Sequence, residues 1–213
     1  MDRLLYTSMS GAKHLMYRQD TLAQNLANAN TTGYRADSVA LRAVPAQGQE
    51  AGTRVFTVET TIGADFSSGP MQSTGRALDV AVQGDGWIAV QGLDGNEAYT
   101  RAGNLQIGAD GTVSSKTMDA PQANPVGRIK LVNPETSELV KGLDGLFRTR
   151  SGEPAEADDN VRVAEGTLEG SNVNVVEAMI GMIAAARQFE MQMKLLSSAE
   201  QNEQKASSLV SNA

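Results

Sequence analysis

Two stretches with a helical period stand at opposite ends of this 213-residue chain, and most of what lies between them alternates with a period of two. A helix that opens a chain and one that closes it must bury their apolar faces against each other, against the insert, or against another molecule. That arrangement predicts an α+β protein. Its long N- and C-terminal helices should pack together as a coiled-coil-like pair, with an all-β domain and an extended arm inserted between them. The boundaries expected from the pattern are 1–35 for the first helix, 36–76 for the arm, 77–169 for the β domain and 170–213 for the last helix.

In the first stretch Leu5, Met9, Ala12 and Met16 step by four, three and four residues, and Leu15, Leu22, Leu26 and Ala29 continue a neighbouring track. Arg3, Lys13, Arg18 and Asp20 lie mostly off this stripe, and Gly33 is placed to follow the helix end. The last stretch is more regular. Ser171 or Asn172 is expected to cap a helix in which Val175, Met179, Met182, Ala186, Phe189, Met193 and Leu196 form a heptad seam. Beyond Leu196 the seam meets Glu200 and Glu203 and weakens. Gly181 and the alanines at 184 to 186 are small enough to let a second helix approach closely.

Between the helices, "ALDVAVQGDGWIAVQG" reads as two short strands around Gly84-Asp85-Gly86. Further strands are expected in "AYTRAGNLQI", "TVSS", "GRIKLV", "LFRTR" and "VRVAEGTL", separated by the turn pairs Asp94-Gly95, Asp110-Gly111 and Asp144-Gly145. Short strands so spaced suggest a compact sandwich or barrel rather than βαβ units. Residues 36–76, with Pro45, Pro70 and five glycines, show no sustained period and read as an arm or long connection.

Composition removes several classes of function. Cysteine is absent, so disulfides, thiol catalysis and Cys-ligated zinc are excluded. Residues 1–35 carry four basic and two acidic side chains and residues 170–213 three basic and four acidic, so the middle, at −8, carries all of the −7 net charge and more. An acidic middle argues against a nucleic-acid surface. The start, "MDRLLYTSMSGAKH", has no continuous apolar run of the kind a secretory signal needs. The apolar run from Ala178 to Ala186 is too short to span a bilayer, and no transmembrane segment is expected.

No constellation in the sequence points to catalysis. His14 is the single histidine, so a zinc site or a triad would have to be built from carboxylates. Gly84-x-Gly86 follows a strand, but a phosphate loop needs a helix after its glycines, and Trp87-Ile88-Ala89-Val90 continues as strand. Asp85 and Asp94 share a calcium-repeat spacing without the intervening ligands, and hairpin turns explain them. Glu153, Glu156, Asp158 and Asp159 lie in a charged loop that would not raise a carboxylate pKa. The methionines at 179, 182, 191 and 193 could line a peptide groove or pack a core shared between subunits. No cofactor, metal or small-molecule substrate is expected.

Three separated segments resemble the flagellar basal-body rod and hook family: "NLANANTTGYR", "TGRALDVAVQGDGWIAVQGLDGNEAYTRAGNLQI" and "LEGSNVNVVEAMIGMIAAARQFEMQMKLLSSAEQ". They occur in the family's order and together span 79 of the 213 residues. After "YTRAGNLQI" the family usually continues through a longer Gly-rich stretch, whereas here the chain passes almost directly to "GADGTVSS", which shortens the β domain. The resemblance implies a non-enzymatic subunit of the torque-transmitting axial structure, in the proximal part of the rod. A distal rod or hook subunit is the alternative, and a secreted enzyme or ligand-binding β-domain protein belongs to the competing class. The implied partners are other rod proteins, copies of the same chain and the flagellar type III export apparatus. The implied location is the periplasm-spanning rod of the basal body, reached without a cleaved signal peptide.

The assembly interface expected on this reading comprises Leu5, Met9, Leu15, Leu22, Asn25, Leu26 and Asn28 on the first helix and the seven seam residues, Val175 to Leu196, on the last. Two readings are open for Asn25 and Asn28. A buried amide that mispairs loses hydrogen bonds worth ~1–3 kcal/mol, so these side chains could specify register between neighbouring subunits. Alternatively they end the helix, because asparagine is a poor helix former.

Overall fold

The computed structural model describes residues 2–45, 55–92, 94–107, 113–116, 123–126 and 129–211. The chain divides into two compact units, each discontinuous in sequence. The helical unit is Met1–Leu26, Asp37–Ile62 and Asn174–Ala213, and the β unit is Ala27–Ala36 and Gly63–Val173.

The helical unit contains β1 (Asp37–Pro45), α2 (Val175–Ser211) and all but the last residue or two of α1 (Asp2–Ala27) and β2 (Val55–Ala64). No proline interrupts either helix. The cap of α2 falls on Asn174 rather than on Ser171 or Asn172: its Oδ1 accepts the Glu177 N–H at 3.3 Å. Ser171 and Asn172 are occupied elsewhere, Ser171 accepting the Val173 N–H and Asn172 bonding residues 36, 65 and 67. The stretch read as an arm carries β1 and β2 as a hydrogen-bonded two-stranded sheet. Its signal was local: "VFTVETTI" is rich in β-branched residues, although it lacks apolar alternation.

In the β unit the central sheet has five antiparallel strands in the order β10 (Lys130–Val132), β5 (Trp87–Gln91), β6 (Glu97–Thr100), β12 (Phe147–Thr149) and β11 (Leu139–Lys141). Two antiparallel pairs join β4 (Val80–Gln83) to β13 (Arg162–Glu165) and β3 (Met71–Ser73) to β14 (Thr167–Glu169). A three-stranded sheet contains β7 (Leu105–Ile107), β8 (Val113–Lys116) and β9 (Ala123–Val126). Strands therefore form in each segment where the alternation predicts them, while the Asp110-Gly111 turn lies outside the described residues.

The pairing, however, is not sequential. β4 and β5 flank Gly84-Asp85-Gly86 without pairing with each other, because each belongs to a different sheet. Gly86 has φ +130°, and a Cβ there would lie 2.6 Å from a Val161 methyl, so the crossing requires glycine.

The period of two in β5 places residues in two cores. Ile88 and Val90 pack with Val80, Val82, Ala98, Leu105, Leu146 and Val161. Trp87 and Ala89 pack with Tyr99, Val132, Leu139 and Phe147. Phe66 meets Trp87 edge-on at 6.0 Å between ring centroids, so much of the chain's small aromatic content is gathered in the second core.

Two hairpins of the central sheet turn through the same tetrapeptide, Gly-Leu-Asp-Gly, at 92–95 and 142–145. In both, the first glycine N–H reaches the carbonyl of the residue after the loop at 2.8 Å, and the last glycine has a positive φ. Arg148 ties the loops together. It grips Asp144 with both Nη atoms, at 3.0 and 2.7 Å, and lies 3.5 Å from Asp94. Burial alone would raise the Asp144 pKa, but hydrogen bonds from Arg148 and from the Leu146 N–H outweigh it and hold the carboxyl below its ordinary value. A depressed folded-state pKa contributes stability that is present above the unfolded value of ~3.9 and is lost as pH falls through the folded value. At pH 7 Asp144→Asn is therefore expected to melt below the wild type, and the difference should narrow as pH falls below about 4. A melting-temperature gap that does not narrow on acidification below about pH 4 would contradict the charge pairing.

Candidate assembly interface

α1 and α2 touch at two levels and run antiparallel. Gln192 Nε2 donates to the Ser8 carbonyl at 3.1 Å, and toward the other end a Cβ on Gly181 would stand 3.1 Å from Leu22 Cδ1. The α2 line that faces α1 is built from small residues. Ala178 and Ala185 are buried, Gly181 lies between them, and Gln192 and Leu196 continue the line half-buried. On α1 Ala12 is buried, and Leu15, Leu22 and Leu26 are half-buried. Absence of side-chain bulk at 178, 181 and 185 lets the two backbones come close, so the larger residues flank the contact or turn away from it.

The heptad seam expected from sequence is thus divided. Leu196 lies on the line facing α1, Met182, Ala186 and Phe189 are half-buried beside it, and Val175, Met179 and Met193 are exposed. On α1 Met9 is 69% exposed, and Met16 and Tyr17 are exposed too. Leu5 lies in α1, but its side chain falls outside the described residues.

A second apolar line on α2 escaped the sequence reading. Val176, Ile180 and Ile183 are 65%, 62% and 57% exposed and lie on the side of the helix away from α1, at ~100° per residue. Arg187, Glu190 and Lys194 continue the same line as charges. The first three turns of α2 are accordingly apolar on all sides apart from Glu177, a composition that calls for burial all round. The signal was present in "VVEAMIGMI", where one seam was traced through a segment that holds two.

Asn25 is buried, and its amide exchanges two bonds with one backbone unit: Nδ2 donates to the Asp37 carbonyl and Oδ1 accepts the Asp37 N–H, both at 2.8 Å. That pair fixes the residue at which β1 begins to the last turn of α1. Asn28 Oδ1 accepts the Thr31 hydroxyl at 3.1 Å, and the Asn28 carbonyl accepts the Thr31 N–H at the same distance. Both asparagines thus shape the helix end within their own chain.

The residues that follow are deeply embedded in the β unit. The Gly33 N–H donates to the Glu169 carbonyl at 2.8 Å, and Tyr34 is buried under the Lys141 ammonium, which lies 4.0 Å from its ring centroid. Arg35 Nη2 donates to Glu169 Oε1 at 2.7 Å, and Arg101 Nη1 donates to Oε2 of the same carboxylate at 3.1 Å. The Arg35 and Glu169 side chains have no solvent exposure. Both guanidiniums face Trp87, at 5.9 and 5.2 Å from its ring. Burial pushes the Arg101 pKa down; Glu169 opposes that shift and Arg35 adds to it. No local pattern announces this cluster, because its members are scattered over 134 positions of sequence.

Three segments of the chain match models of known families. Residues 5–35 match "Flagella basal body rod protein", residues 81–129 "Flagellar hook protein FlgE/F/G D1 domain", and residues 164–209 "Flagellar basal body rod FlgEFG protein C-terminal". The chain is 43% identical over 249 aligned positions to the flagellar basal-body rod protein FlgF of Salmonella typhimurium, covering 99% of both chains. Identity and coverage are the same for FlgF of Escherichia coli. The rod protein FlgG of Bacillus subtilis is 27% identical, over 94% of this chain and 96% of its own. The FlgF alignments exceed this chain's 213 residues, as expected if the relatives carry segments that it lacks. Among the described residues no helix is long and apolar enough to cross a membrane.

Proposed function

The chain belongs to the flagellar basal-body rod family and is a structural subunit of the rod, and on that premise we propose that it occupies the proximal rod and polymerises through its terminal helices. The observation that carries the proposal is the apolar surface that α1 and α2 leave uncovered after pairing with each other. Val176, Ile180 and Ile183 on one side of α2, Val175, Met179 and Met193 on another, and Met9 and Met16 on α1 offer more than one face to neighbours. A subunit in a helical array needs several such faces, because its contacts are heterologous and repeat without closing. Identity of 43% to two FlgF relatives, against 26–28% to the FlgG relatives, favours the proximal over the distal position, although other FlgF relatives are only 28–31% identical. A distal rod or hook subunit is the second reading within the family.

The partners proposed are copies of this chain, neighbouring rod proteins and, during secretion, the flagellar type III export apparatus. The subunit acts mechanically and without catalysis. Asn25 and Asn28 belong to the proposed interface through the helix end that they fix. Their amides have partners in their own chain, which favours the helix-ending role over direct register contacts between subunits.

Deleting the gene and imaging purified basal bodies tests the assignment. The expected result is arrest before a complete rod, and full rods bearing hooks in the deletion strain would sink it. Phe189, half-buried beside the helix contact, probes the shared packing. Phe189→Ala is expected to reduce rod incorporation while export of the subunit continues, as read by rod pull-down against secreted protein. Wild-type swimming of that strain would remove Phe189 from the interface.

A further inference from the structure

We propose that the β unit carries a binding site for a Gly-Tyr-Arg peptide, and that residues 31–36 are its separable occupant in cis. This inference does not depend on the assembly reading. The segment reaches the β unit from outside its continuous part, because residues 37–62 belong to the other unit. The residues that receive it, Trp87, Arg101, Lys141, Glu169 and Asn172, all come from Gly63–Val173.

Recognition is specific at three successive positions. A Cβ on Gly33 would stand 2.3 Å from Ala102 N and 2.3 Å from the Arg101 carbonyl carbon, and its φ is +69°, so only glycine fits. Tyr34 is 2% exposed beneath Lys141, whose Nζ also donates to the Arg35 carbonyl at 2.8 Å. Arg35 ends on Glu169. Backbone bonds close the far side: the Ala36 N–H donates to Asn172 Oδ1 at 2.7 Å, and the Ala36 carbonyl accepts the Asp65 N–H at 2.8 Å.

Charge makes the segment separable. Without Arg35 the buried charges of the receiving cluster are a balanced pair, Arg101 with Glu169, and the other receiving cation, Lys141, is only half-buried. Docking the segment adds a second cation to one carboxylate, so removing it strands no charge in the β unit. A tethered occupant holds its site at an effective concentration of ~mM and resists a dilute competitor, whereas a chain whose own segment cannot dock leaves the site open.

The test uses the full chain carrying Gly33→Val and a labelled synthetic peptide of residues 30–36. Trp87, the single tryptophan, lies in the site and reports its state by fluorescence. The variant should bind the peptide and the wild type should not at the same micromolar concentration. A peptide with Gln in place of Arg35 should bind about tenfold more weakly. If Gly33→Val loosens the β unit, the peptide should restore the native Trp87 emission. Absence of binding to a variant with native emission would overturn the proposal. Failure to restore a loosened variant, or equal binding of the Gln peptide, would do the same.

Discussion

Glu169→Gln is expected to remove ~3–5 kcal/mol from the stability of the β unit, the scale on which breaking a buried ion pair destabilises a fold. The carboxylate accepts from Arg35 and Arg101, and Oε1 also accepts the Gly69 N–H at 3.0 Å. Glutamine preserves the shape but has one acceptor oxygen, turns an NH2 toward a donor and leaves two buried cations without an anion. Domains have net stabilities of only ~5–15 kcal/mol, so the loss is a large share of the total. Arg35→Met should cost less, because it removes one cation and leaves the Arg101–Glu169 pair intact. Urea unfolding followed by Trp87 fluorescence ranks the two. An Arg35→Met penalty equal to or above that of Glu169→Gln would show that charge balance does not govern the cluster.

The same cluster explains where sequence boundaries and structural boundaries part. Alternation in "WIAVQ" and "VRVAE" identified strands because half-buried and doubly buried strands both leave a mark within a few residues. Which strand pairs with which leaves no such mark: β4 pairs with β13, about eighty residues away, and not with β5 beside it. A β domain cut at 77–169 on alternation alone keeps Glu169 but omits Phe66, Tyr34 and Arg35. A fragment of 70–168 would also lose Glu169 and leave Arg101 buried against no carboxylate. The fragment expected to melt cooperatively is therefore Gly63–Val173, which retains the balanced pair.

The helices were the most legible elements, because 3.6-residue periodicity persists over many turns, and the offset in their contact line has a simple cause. Hydrophobic scoring follows large residues such as Met179 and Met193, whereas close helix packing selects small ones such as Ala178, Gly181 and Ala185. For Asn25 and Asn28 the sequence left register and helix ending both open, and it could not name their partners. The partner of Asn25 is the backbone of Asp37, a group that every residue carries and that no side-chain pattern reveals.

Ile180→Glu combined with Ile183→Glu is expected to abolish incorporation into the rod while leaving the subunit folded and exported. Both side chains are already mostly exposed among the described residues, so the substitutions disturb little packing there, and surface changes of this kind alter stability by ~0.5 kcal/mol or less. Glutamate is a good helix former, and a Glu at 183 stands four residues before Arg187, an orientation that supports the helix. In an assembled array the balance reverses. Burying each isoleucine contributes ~1.5–3 kcal/mol, and the replacement must place an unpaired carboxylate in the same apolar contact, at a further desolvation penalty. Every subunit repeats the defect, so no neighbour compensates for it. Matching changes farther along the line, at Arg187 and Lys194, should be tolerated, because that part of the helix is charged and solvated. Circular dichroism of the purified variant, secreted protein in the medium and swimming in soft agar separate folding, export and assembly. Full swimming with Glu at both positions would show that this side of α2 faces solvent in the rod, and would confine the interface to the Met179–Met193 side and α1.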